Sequence, residues 1–146
     1  MNRSDFIVKF FDKAYEDMSI EELVNAPVSA ISGVSEADAA DLKEAFGIET
    51  VQDLATNNYV KLAQGIYCFS ECEGQVLDQA FDAAEYQNLA EKPVSAISGI
   101  SNKDAVLLKR AFGIESIRDF AENKYIAIAQ TTVSMASLCQ YIIVVE

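Results

Sequence analysis

Between Ser35 and Phe46 the apolar side chains fall at Ala39, Leu42 and Phe46, and between Ser101 and Phe112 they fall at Ala105, Leu108 and Phe112. Steps of three and four residues place each trio on one face of an α-helix. Stop and start signals bracket both runs. Ser35 with Asp38, and Ser101 with Asp104, predict capping boxes. Gly47 and Gly113, each followed by isoleucine, predict left-handed helix ends. Thr50 with Asp53, and Ser116 with Asp119, predict a third helix, and a fourth begins near Tyr59 and Tyr125. Ahead of these, Pro27 and Pro93 suit the first turn of a short helix, VSAIS, which Gly33 and Gly99 then close with positive φ. The N-terminal run MNRSDFIVKFFDKAYED breaks its apolar residues with charge too soon for a signal peptide and fits an amphipathic helix. Only the terminal YIIVVE alternates with period two. The pattern predicts an all-α fold.

The same phrase, PVSAISG, stands at 27–33 and again at 93–99. Laid over one another without a gap, residues 27–66 and 93–132 agree at 23 of 40 positions. Phe11-Asp12 and Phe81-Asp82 also correspond if the first copy carries four more residues, about one helical turn. The expectation is an internal duplication, residues 1–73 and 74–146, folded as a pseudo-twofold pair around one shared core, since two copies are too few for a solenoid.

The shared residues form the pattern G-h-S-x-x-D-A-x-x-L-x-x-A-F-G-I-x-[TS]-h-x-D-h-A, with h apolar. It resembles the helix-hairpin-helix family of Holliday-junction-binding and DNA-repair proteins, over about 40 residues of each copy. The resemblance implies a tandem, SAM-like helical fold similar to the second domain of a Holliday-junction protein. It also implies hairpins whose amides, with an adjacent helix N-terminus and a basic side chain, take a DNA phosphate. Position by position, the first hairpin glycine falls on Gly33 and Gly99. The second falls on Ser35 and Ser101, a departure in both copies that limits close backbone approach. The basic residue is Ala37 in the first copy and Lys103 in the second.

Charge alters that picture. With 11 Lys and Arg against 23 Asp and Glu the net charge is −12, which repels phosphate backbones and anionic lipid. The deficit is uneven. Residues 1–73 hold 5 basic and 14 acidic groups, and residues 74–146 hold 6 and 9. Glu44 gives way to Arg110, Gln52 to Arg118 and Asn58 to Lys124, so an anion would meet the second copy, at Gly99, Ser101 and Lys103. The absence of histidine removes Ser-His-Asp and Cys-His catalysis and imidazole metal sites. Cys68, Cys72 and Cys139 are too few and too scattered for a metal centre and read as reduced, buried or partly buried thiols of a cytoplasmic protein. Carboxylate pairs such as Asp38-Asp41 read as solvated surface.

Residues 125–145 carry no charge, whereas the matching stretch of the first copy carries Lys61, Glu71 and Glu73. A buried helix, a partner or homodimer surface and a membrane tail all fit that run. Its interrupting Gln130, Thr131, Thr132, Ser134, Ser137 and Gln140 speak against the last. Asp41 also becomes Leu107, so Leu107, Ile128, Leu138 and Tyr141 are the interface candidates. The sequence thus points to a non-catalytic, cofactor-free interaction or accessory domain that binds another protein or a second copy of itself. Nucleic-acid binding through the second hairpin is the alternative.

Overall fold

Each helix whose start lies among the described residues begins where a side chain satisfies open amides of its first turn. The computed structural model describes residues 2–71 and 88–142, and side chains among them as far as Leu138. Asn2 and Asp5 cap one another at the start of α1 (Arg3–Phe10), and Ser19 opens the single turn α2 (Ile20–Leu23). Ahead of α3 (Glu36–Phe46) the Ser35 hydroxyl accepts from the Asp38 amide at 3.0 Å, while the Asp38 carboxylate accepts from the Ser35 amide at 3.1 Å. Thr50 and Asp53 repeat the box for α4 (Val51–Thr56). Asn57 then opens α5 (Asn58–Glu71), its side chain accepting from the Tyr59 and Val60 amides. The second half follows the same order. Ser101 and Asp104 cap α6 (Asn102–Phe112), and Ser116 and Asp119 cap α7 (Ile117–Ala121). Asn123 opens α8 (Lys124–Ile142), accepting from the Tyr125 and Ile126 amides. The described residues hold no strand, and the fold is all-α.

The PVSAISG segments are tighter than the pattern predicts. Each forms a three-residue 3-10 turn, Val28–Ala30 and Val94–Ala96, instead of a longer helix. The reason is a tether. The Val28 and Val94 amides donate to the carbonyls of Glu49 and Glu115, which draws Pro27 into an antiparallel bridge with Thr50 and Pro93 into one with Ser116. Gly33 and Gly99 follow at φ of 96° and 99°, conformations that side-chain-bearing residues avoid.

Across the halves the packing is exchanged. α3 lies against α6, α4 packs chiefly on α8, and α7 packs chiefly on α5. The short third helix of each half therefore leans on the long fourth helix of the other. Leu42, Ile48 and Leu54 of the first half and Leu108, Ile114 and Phe120 of the second are all buried in one apolar cluster. Burying side chains of this size contributes about 1.5–3 kcal/mol each.

α8 is covered along one face only. Ile126, Ala129 and Thr132 are buried, the Thr132 hydroxyl donating to the Ile128 carbonyl, while Ala127, Thr131 and Ser137 face solvent. The uncharged run is thus not wholly covered within the chain, because α4 and α2 reach only one side of it. Among the described residues no helix is long and apolar enough to cross a membrane. Cys68 is exposed, contrary to the expectation of a covered thiol, because α5 turns that position outward. The side chains of Cys72 and Cys139, and the YIIVVE segment beyond Ile142, lie outside the described residues.

Candidate functional site

The residues marked by the repeat converge on the seam between the halves. A methyl group built on Gly33 would come within 2.7 Å of the Tyr125 hydroxyl and 3.1 Å of its ring. One built on Gly99 would strike the Tyr59 hydroxyl. Each hairpin glycine is therefore closed, on the side where a side chain would project, by a tyrosine from the opposite half. The tyrosines are held by phenylalanines of their own halves: Phe46 and Tyr59 lie 5.1 Å apart between ring centroids, Phe112 and Tyr125 4.9 Å. Such tilted pairs favour edge-to-face attraction.

Ser35 and Ser101, at the second hairpin position, are occupied as helix caps. Their hydroxyls accept from the amides of Asp38 and Asp104, and their own amides donate to those carboxylates. Lys103 lies on the exposed surface and pairs with Glu44 of the other half at 3.1 Å. Two turns further along α6, Arg110 reaches Asp41 of α3 with two parallel bonds, Nε at 3.0 Å and Nη2 at 2.6 Å. The fork geometry matches a carboxylate plane. Asp41 is buried, only 9% of its side chain remaining exposed, which corrects its assignment to solvated surface. The Arg110 guanidinium holds its carboxyl below the ordinary carboxylate range, against the opposing effect of burial.

A second cationic centre lies at the other end. Arg118 donates to Glu91 at 2.6 Å and to Glu71 at 3.0 Å, and its guanidinium carbon stands 5.2 Å from the Tyr67 ring centroid. These bonds raise the arginine above its ordinary value, and Glu122 raises the Tyr67 hydroxyl in turn. Three of the basic residues that distinguish the second half, Lys103, Arg110 and Arg118, are thus bonded to carboxylates of the same chain, and each reaches into the first half.

The interface candidates separate. Leu107 is buried at 5% exposure on α6, the helix that lies against α3. Ile128 is half-buried at the wall of a surface cleft of about 440 Å³, bounded by α1 and the first turns of α8. Leu138 is exposed at 51%, and the Tyr141 side chain lies outside the described residues. The sequence reading passed over Tyr59 and Tyr125 as covers of the hairpins, and over Gln64 and Gln130, whose side-chain amides exchange bonds of 2.9 and 2.8 Å. A signal was present: a glutamine recurs after 66 residues, at equivalent positions of the two long helices. No protein-family model, curated protein or solved structure matches this chain, so the helix-hairpin-helix likeness rests on the residues that carry it.

Proposed function

We propose that the chain is a non-catalytic interaction module, an accessory subunit for another protein, in which two helix-hairpin-helix copies are joined as a pseudo-twofold pair. The observation that carries this reading is the closure of the hairpins. Gly99, the position a phosphate would approach, has Tyr59 against it, and the basic residue beside it, Lys103, has a carboxylate partner. The hairpins hold one copy to the other. Symmetry is supported by Gln64 and Gln130, equivalent residues that bond to one another; equivalent residues meet only on or near the axis that relates them. The divergence in charge supports the same reading. Asp41 meets Arg110, whereas the mirrored positions hold Leu107 and Glu44. A copy paired with its own kind would leave Asp41 buried beside a glutamate, which is costly. The charges therefore favour pairing of unlike copies and leave outward residues such as Leu138 for a partner.

Two measurements on the full chain test the proposal. Titration of labelled duplex and four-way-junction DNA at physiological salt should show no micromolar binding, because a net charge of −12 opposes the counterion release that drives it. A protein isolated with the chain from its own cells should be lost on Leu138→Asp while the melting curve stays in place. Micromolar DNA binding that weakens on Lys103→Ala overturns the proposal in favour of the nucleic-acid reading.

A further inference from the structure

Within residues 93–132 four positions are basic where the first copy is not, and one of them is not accounted for by the seam. Lys103, Arg110 and Arg118 are bonded to Glu44, Asp41 and Glu71. Lys124, which stands where the first copy has Asn58, has no carboxylate within ion-pair distance among the described residues. It lies instead at the rim of the cleft between α1 and α8, its Nζ 5.1 Å from the Tyr125 ring centroid. Across that rim Lys9 takes the same posture, its Nζ 5.4 Å from the Phe10 ring, also with no carboxylate partner among the described residues.

Most of the remaining lining is apolar. Phe6, Phe10, Tyr125 and Ile128 make its body, Ala127 and Thr131 complete the α8 side with the Thr131 hydroxyl already donating to the Ala127 carbonyl, and Ser32 borders it from the first PVSAISG segment. About 440 Å³ falls within the range of small-molecule sites, roughly 300–1,000 Å³. The electrostatics favour an anion. Lys124 is the first residue of a 19-residue helix, and a cation at that end opposes the helix dipole. The first-turn amides of Tyr125 and Ile126 are bonded to Asn123, so an incoming anion meets the lysine and not those amides.

We infer that this cleft binds a small amphipathic anion, an aliphatic chain ending in one carboxylate. The chain lies against Phe6, Phe10, Tyr125 and Ile128, and the carboxylate sits between Lys9 and Lys124. The site adjoins the first hairpin through Ser32 and Tyr125 but uses none of the charged pairs of the seam, and it does not depend on whether the protein also has a protein partner.

Decanoate is the probe, titrated into the full-length protein by calorimetry, with amide chemical shifts followed in parallel. The expected result is saturable binding of one decanoate per chain, with shifts centred on Ser32, Tyr125 and Ile128. Decyltrimethylammonium, which has the same tail and the opposite charge, should bind at least tenfold more weakly. The double variant Lys9→Glu, Lys124→Glu, altered only at exposed positions, should lose at least tenfold in decanoate affinity. Thr131→Trp, which fills the cleft from an exposed position, should abolish binding without touching either lysine. The inference is overturned by decanoate binding that does not saturate, by equal binding of the cation, or by unchanged affinity in both variants. An acidic peptide with an aromatic anchor that binds this cleft while decanoate does not would also overturn it.

Discussion

Replacing Gly99 by alanine is expected to destabilise the protein by about 2–5 kcal/mol. Two causes add. A residue with a side chain at positive φ costs roughly 1–2 kcal/mol, and Gly99 holds φ of 99°. The new methyl also runs into the Tyr59 hydroxyl, and forcing extra volume into a packed site costs about 1–3 kcal/mol. Gly113 supplies the control, because it too has positive φ but nothing within 4 Å of an added methyl. Gly113→Ala should therefore show the backbone cost alone. In a Tyr59→Ala background the cost of Gly99→Ala should fall to a similar value, a coupling measurable by urea unfolding of the four proteins in the cycle. An equal cost with and without Tyr59 would mean that the tyrosine does not cover the hairpin.

Phe120→Ala should cost about 3–5 kcal/mol, as for other buried phenylalanines truncated to alanine. Phe120 is 1% exposed and its ring stacks at 6.3 Å on Phe46 of the other half. Because α7 is seated chiefly on α5, the loss should be felt by both halves together. Calorimetry should record one cooperative transition shifted to lower temperature, with the measured enthalpy equal to the van't Hoff value. Two separate transitions, one of them at the wild-type temperature, would show that the halves are independent domains.

Much of this architecture is legible in the sequence because it is local. Capping boxes at Ser35, Thr50, Ser101 and Ser116 need only residues three apart, and all four form. The left-handed ends at Gly47 and Gly113 are equally short-range. What the sequence leaves hidden is which surface each helix chooses. The leucine at 107 hints at cover, and Leu107 is buried, but the same spacing gives no sign that α4 prefers α8 to its own neighbour. Asp41 shows the limit most clearly. As one acid among 23 it reads as surface, and only the approach of Arg110, 69 residues away, makes it a buried partner. Lys124 stands out in the sequence as a gain of charge, but its meeting with Lys9 in one cleft does not, since α1 and α8 are separated by most of the chain.

Gly33 and Gly99 are each covered by a tyrosine of the opposite half. Nuclear Overhauser contacts between tyrosine ring protons and glycine α-protons test that arrangement most directly, in a sample shown by sedimentation to be monomeric. Cross-peaks are expected from Tyr125 to Gly33 and from Tyr59 to Gly99, the pairs that the packing brings together. Cross-peaks from Tyr59 to Gly33 and from Tyr125 to Gly99, within each copy, would contradict it.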